Sequence, residues 1–289
     1  MNNKNVKLKP FDILNVALLA LVGFICVYPF YYVVVASISD PVKMNGFADM
    51  LWKPLGFSLE AYQRVFRNSS IYTGYMNTFF YVGVGSFVNV LMTSMAAYIL
   101  TRKEFMPRRF LSLIFIFTMY FNGGLIPNYL LIKDLGLINN RLALIIPGAI
   151  STFNVLIMMR GFESIPDSLE ESARIDGAGD WTIMFRIIMP LAKPTIMVIF
   201  LYYAVGHWNS WFDAMIYLKD VGKMPLQIFL RDILTRSQLG EMAGAANVQD
   251  VGITIKYATI VVSTAPILCI YPFIQKYFVQ GVLIGSVKE

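Results

Sequence analysis

The chain has 289 residues and a formal net charge of +6; 57% of its residues are apolar or aromatic and only 15% are charged. A soluble domain carries about 25% charged and about 45–50% apolar residues, so a disordered chain is excluded and an ordinary soluble enzyme fits poorly. Cys26 and Cys269 both sit in apolar runs, so no disulfide framework is implied.

A helix crosses the hydrocarbon core of a bilayer with about 20 mostly apolar residues. Six runs qualify, at 13–37, 79–100, 110–132, 142–159, 194–218 and 258–278, and the first four hold no Asp, Glu, Lys, Arg or His. The run at 13–37 exceeds the apolar region of a cleaved signal peptide and lacks a small-residue cleavage pattern, so it reads as a retained span. Residues 38–78 follow as a long loop in which LEAYQRVF, 59–66, has helical character. The next loop, 101–109, sets Arg102, Lys103, Arg108 and Arg109 against the single acid Glu104, and the amino-terminal tail adds Lys4, Lys7 and Lys9. Basic short loops stay in the cytoplasm. Both termini and 101–109 are therefore expected inside, with 38–78 and 219–257 outside. The basic excess is an orientation signal, not a nucleic-acid patch.

Further along, FNGGLIPNY at 121–129 contains Asn122, Gly123, Gly124 and Pro127. Two readings fit: broken backbone facing protein or a water-filled cavity, or the plain outer end of the third span. Pro147-Gly148 in the fourth span, and Pro266 and Pro272 in the sixth, read as kinks or hinges.

Residues 160–193 form a long connection holding six acids and four bases. Asp167 and Glu170 have capping-box spacing. Gly177 and Gly179 suit positive φ and end that helix, and Asp180 offers a second N-cap. Trp181, Met184, Phe185 and Ile188 then recur at i, i+3, i+4 and i+7, an apolar stripe on one helical face. Pro190 and Pro194 turn the chain toward the fifth span. The pattern predicts a cytoplasmic helix–turn–helix with one face on the bundle and one open to a partner; an ordinary interfacial amphipathic helix fits it equally well.

The fifth span carries His207, Trp208, Asn209, Trp211 and Asp213 in its later half. His207 and Trp211 are four apart, as are Asn209 and Asp213, so each pair is expected on one helical face. Aromatic rings stack on the C–H faces of sugars while amides and carboxylates pair with hydroxyls. With Asn122, these residues are the candidate substrate pathway. A tryptophan–tyrosine belt with helix-to-helix hydrogen bonds is the plainer reading. The 219–257 loop contains PLQIFLRDIL, with apolar residues at helical spacing. No G-x-x-x-x-G-K-[ST], HExxH or G-x-S-x-G motif occurs and His207 is the lone histidine, so no catalytic, metal or cofactor site is expected and energy must enter from elsewhere.

The string Glu171-Ser172-Ala173, then Gly177, Ile187, Met189 and Pro190, resembles the EAA loop of ABC-importer permeases, with Glu-Ala-Ala, three residues, Gly, nine residues, Ile, one residue and Leu-Pro. Only Ser172 and Met189 depart from it. LEESARIDGA with FRIIMPLAKP is similar to the carbohydrate, maltose-type branch, and the resemblance covers essentially the whole chain. It implies an all-α integral membrane protein of the type I ABC importer permease fold: one domain over 1–289, six transmembrane helices, and a cytoplasmic coupling loop at 160–193. It further implies that Glu170, Glu171, Ala173, Asp176, Gly177, Ile187 and Pro190 couple to the ATPase. Glu171 would make charged contacts there, and Gly177 would sit where a side chain obstructs close approach. Asp167, Glu170 and Arg174 also fit a plain solvated face. The implied partners are a second, homologous permease chain, two ATP-binding-cassette subunits that hold ATP and magnesium, an extracytoplasmic solute-binding protein and an oligosaccharide. The implied location is the bacterial plasma (inner) membrane. The rivals are a permease for peptides, amino acids or ions, and a gradient-driven transporter, for which intramembrane ionisable groups are sparse.

Overall fold

The computed structural model describes residues 10–47, 49–242, 253–270 and 272. The amino-terminal lysines, residues 243–252 of the 219–257 loop, Lys276 with the end of the sixth span, and the carboxy-terminal tail lie outside the described residues. Hydrocarbon supplies no hydrogen bonds, so a spanning segment must satisfy its own backbone. Accordingly the described residues form helices and turns, with no strand.

The chain divides into two units, Met1–Asn68 with Leu230–Ala265, and Ser69–Phe229 with Pro266–Glu289. In the first, α1 (Pro10–Ser37) has 28 residues, about 42 Å at 1.5 Å per residue. Its most apolar window buries nothing within the chain, which leaves its surface for lipid or another subunit. A core forms at its end, where Val35 and Ala36 meet Met44 and Leu51. The Asp40 carboxylate caps the short α2 (Pro41–Met44) by accepting from the Val42 and Lys43 amides. The following segment returns along α1: the Tyr28 hydroxyl accepts from the Leu51 N–H at 2.9 Å, and the Tyr31 hydroxyl donates to the Trp52 carbonyl at 2.5 Å. The expected helix at 59–66 is α3 (Glu60–Arg67).

In the second unit, α4 (Ser69–Thr101) runs 33 residues, interrupted by a π turn at Tyr81–Gly85. Below that turn Ser86, Asn89, Val90, Thr93, Ser94, Ala97 and Leu100 are all buried at helical spacing. Small residues on this face allow close backbone approach, and α4 packs there against α7 (Thr152–Glu163) and α10 (Lys193–Trp208). Gly85 shows how close: a Cβ on it would lie 2.6 Å from His207 Nε2.

The same face holds a polar seam. Asn89 Nδ2 donates to the Gly148 carbonyl at 2.6 Å, and its Oδ1 lies 2.7 Å from His207 Nε2. An amide oxygen only accepts, so His207 must be in its Nε2–H form. The Tyr203 hydroxyl accepts from the Ser151 N–H at 2.9 Å and meets Thr93 Oγ1 at 2.6 Å.

The fourth run breaks where Pro147-Gly148 reads as a kink or hinge, and the break is wider than a kink. Residues 142–159 comprise a 3-10 turn (Arg141–Leu144), seven non-helical residues at 145–151 and the start of α7. Pro147 lacks an amide hydrogen and its ring blocks the preceding turn, and side chains of α4 and α10 satisfy the backbone released there. The third run is also broken. Between α5 (Arg108–Tyr120) and α6 (Leu125–Asp134) the axis bends by 118° at Phe121–Gly124. Gly124 has φ +88, and Asn122 Oδ1 accepts from the Gly124 N–H at 2.8 Å and from Asn128 Nδ2 at 3.2 Å. Thirteen residues of α5 reach about 20 Å, short of the hydrocarbon thickness. Three described helices are long and apolar enough to cross a membrane, or up to five crossings if each bent pair counts as one.

Replacing Asn89 by Leu removes the partner of the Gly148 carbonyl and of the buried His207 Nε2–H. The expected cost is about 1–3 kcal/mol per group, read as a lower thermal midpoint in nanodiscs. Phe87→Leu, on the exposed face of α4, should change stability by no more than about 0.5 kcal/mol.

Candidate functional site

The 160–193 module consists of α8 (Asp167–Ile175) and α9 (Asp180–Leu191), set between α7 and α10. The helix–turn–helix is as expected, but its termini differ from the sequence reading. Asp167 is the first residue of α8, its N-cap is Pro166, and no side chain caps it. The expected capping box does not form because both carboxylates are engaged elsewhere. Likewise Gly179, not Asp180, caps α9, at an extended φ of −77. Of Gly177 and Gly179, only Gly177 takes a positive φ, +83. Its N–H donates to the Arg174 carbonyl at 3.0 Å, and the Ala178 N–H donates to the Ala173 carbonyl at 2.9 Å, the paired closure of a Schellman turn. A Cβ on Gly177 would meet nothing within 4 Å, so within this chain glycine is required for its conformation rather than for space.

The apolar stripe is redistributed. Met184 and Ile188 are buried as expected, but Ile183 joins them, while Trp181 and Phe185 remain open and stack on each other at 5.9 Å. A π turn at Met184–Ile188 causes this. It adds a residue to the turn, so regular 3.6-residue spacing no longer predicts the inward face. The buried three, with Ala173 and partly buried Ile187, join the core formed by Val90, Ala97, Tyr98, Val155, Met158 and Phe162. Each fully buried large side chain contributes about 1.5–3 kcal/mol. After Leu191 the axis turns by 85° into α10.

Charge ties the module to the loop before α5. Glu170 pairs with Arg102, their side chains only 12% and 19% exposed, and also with Arg174 at 3.0 Å. Arg174 reaches Asp180 at 2.7 Å, linking α8 to α9, and Lys103 meets Asp167 at 2.7 Å. Burial pulls the Arg102 guanidinium below its ordinary value. The Lys103 hydrogen bond, then its charge, holds the Asp167 carboxyl below the usual carboxylate range. Sequence reasoning gave Arg102 and Lys103 only an orientation role. The available signal was the complementary charge of 101–109 and 160–193. Glu171, Asp176 and Pro190 are exposed, and Glu171 lines a polar cleft of about 420 Å³ with Arg108, Glu163 and Arg174.

The pathway candidates do not share one face. Residues 209–210 break the fifth run, so α10 ends at Trp208 and α11 (Trp211–Tyr217) starts anew. The expected pairing of His207 with Trp211, and of Asn209 with Asp213, by helical spacing is thereby corrected. Asn209 Nδ2 donates to the Val205 carbonyl at 2.9 Å, closing the end of α10. Trp208 is buried edge-on to Phe79, and His207 belongs to the seam. Asn209, Asp213 and Asn122 are exposed.

Residues 54–284 match the family described as binding-protein-dependent transport system inner membrane component. The chain belongs to this family. It is thus a permease subunit of an ATP-driven ABC importer, an inner-membrane component and not an enzyme. It is 41% identical over 288 residues to the polygalacturonan/rhamnogalacturonan transport system permease protein YtcP of Bacillus subtilis, covering 98% of this chain and 100% of that protein. The arabinooligosaccharides transport system permease protein AraQ of Halalkalibacterium halodurans is 26% identical, covering 93% of this chain and 94% of that one. A solved bacterial ABC transporter involved in the import of the acidic polysaccharide alginate superimposes with a TM-score of 0.86 at 35% identity, over 96% of this chain and 100% of that one. The permease therefore has the type I fold of that importer.

In this permease, Gly177→Asn should be tolerated better than Gly177→Val, because asparagine visits the left-handed region and a β-branched residue does not. The valine variant should lose about 1–2 kcal/mol relative to wild type, measured by thermal unfolding in nanodiscs. Equal loss in both variants would point to a steric rather than a conformational requirement.

Proposed function

We propose that this permease moves oligosaccharides inward, foremost those derived from acidic polysaccharides, by alternating access. The substrate reading is carried by two relatives above 30% identity, whose names specify polygalacturonan/rhamnogalacturonan and the acidic polysaccharide alginate. The chain would pair with a different, homologous permease, two ATP-binding-cassette subunits and a solute-binding protein outside the membrane. Both termini, 101–109 and 160–193 would face the cytoplasm, where basic short loops are retained, and six spans would make up the single domain.

In this reading 160–193 is the coupling loop. Its buried side is Ile183, Met184 and Ile188, while Glu171, Ile175, Trp181 and Phe185 stay open on the module. An acid beside uncovered apolar side chains suits a protein cleft. The partner ATPases would close on ATP, push this module and open the cavity to the docked binding protein; hydrolysis would return it inward. Ala173, Gly177, Ile187 and Pro190 would keep the module's shape, with Glu171 and Asp176 facing the ATPase. Exposed Asn209, Asp213 and Asn122, with Trp211, would offer hydrogen bonds and ring faces to sugar, while buried His207 and Trp208 would hold the wall behind them.

Two measurements test this. In proteoliposomes with its partners and binding protein, uptake should be observed for uronic-acid oligosaccharides and be weak for neutral ones. Uptake of neutral arabino- or galacto-oligosaccharides alone would replace the acidic class with the neutral one, and uptake of peptides alone would remove carbohydrate altogether. Separately, Glu171→Ala should lower transport about tenfold, within the usual range of coupling energies, with the chain still inserted. Undiminished transport with normal ATPase co-purification would remove the coupling role.

A further inference from the structure

Helix α8 has little apolar attachment. Of its nine residues only Ala173 is buried, while Leu169 and Ile175 are exposed. Charge sets its position instead, through Arg102 on Glu170 and Lys103 on Asp167. Arg102 is itself fixed to the last turn of α4. Its Nε donates to the Tyr98 carbonyl at 3.3 Å, its Nη2 donates to Thr101 Oγ1 at 3.1 Å, and its guanidinium lies 4.5 Å from the Tyr98 ring centre. A contiguous chain of contacts therefore runs from the end of α4 through Arg102 to Glu170. It continues through Arg174 to Asp180 on α9.

We propose that the 101–109 loop is a strap that makes α4 a third output of the coupling module, with Arg102 as its positioning residue. The proposal rests on the reading of 160–193 as the ATPase-docking loop. Along the backbone that module connects only to α7 and α10. The strap adds α4, the helix whose Asn89 and Thr93 belong to the seam holding 145–151. Thr93 is eight residues from Thr101, about 12 Å along the helix. The pair is suited to transmission because it resists parting: a planar guanidinium fixes the geometry of its partner, and separation takes the largely buried Arg102 guanidinium from its carboxylate while Glu170 is left to Arg174. Displacing α8 therefore draws the end of α4 with it.

The test uses the assembled importer in proteoliposomes, with transport and ATP hydrolysis measured together. Arg102→Gln should still assemble and hydrolyse ATP, but carry at least about fivefold less substrate per ATP, the lower end of typical coupling energies. Arg102→Glu and Glu170→Arg should each behave similarly, and the double exchange should recover most of the ratio. A structural contribution alone would lower the amount of assembled importer without altering transport per ATP. Wild-type transport per ATP in assembled Arg102→Gln overturns the strap, as does a double exchange no better than the single variants. If Arg102→Gln fails to assemble, Arg102→Lys is read instead; it keeps the charge but not the fork, and a wild-type ratio there overturns the geometric claim. Should the wild-type importer move no carbohydrate at all, the functional reading fails; if it does and only Arg102 is indifferent, the strap alone fails.

Discussion

A backbone amide or carbonyl left unpaired in hydrocarbon costs several kcal/mol, and the second unit is arranged around that cost. Seven residues, 145–151, leave the helix inside an apolar run. Asn89 and Tyr203 take up the Gly148 carbonyl and the Ser151 amide, and each in turn requires a further partner, His207 for the one and Thr93 for the other. The requirement then reaches Gly85, where any side chain would collide with the His207 ring. A single break thus dictates the character of three elements. It explains why α4 buries Asn89 and Thr93 where leucines would be cheaper, and why α10 carries a histidine and a tyrosine inward.

The 160–193 module is held by two different kinds of force. Helix α9 is anchored by burial of Ile183, Met184 and Ile188, which is non-directional. Helix α8 is held by oriented ion pairs to the 101–109 loop. A packed face can slide within its groove, whereas a largely buried guanidinium–carboxylate pair fixes a particular register. The combination suits the load-bearing role proposed for it. The Schellman turn at Gly177 and the Arg174–Asp180 pair keep the two helices together as one piece.

Much of this was legible in the residues. The apolar runs announced a membrane protein, the Glu171–Gly177–Pro190 spacing announced the family, and helical character at 59–66 and over PLQIFLRDIL at 225–234 anticipated the helices Glu60–Arg67 and Leu226–Met242. The misreadings have specific causes. The capping box at Asp167 and Glu170 has the right spacing, but its carboxylates go to Lys103 and Arg102, partners remote in sequence. The stripe from Trp181 to Ile188 assumed regular helix, and a π turn rotated Trp181 and Phe185 outward. The shared face of His207 and Trp211 assumed a continuous helix through Asn209 and Ser210, where the chain breaks. Each error extends a local rule past a point where a long-range contact or an irregular turn takes over.

What the sequence determined by itself is whatever depends on composition and on neighbours within a few turns: solubility in lipid, the length of apolar runs, the glycine at the turn of the module and the identity of the family. What only the tertiary structure decided is which polar groups meet: Arg102 with Glu170, Asn89 with Gly148 and His207, Tyr203 with Ser151. Those pairings join residues dozens of positions apart, so no periodicity encodes them. They are selected by the need to leave no buried charge or backbone group without a partner, and that need exists only once the helices have packed.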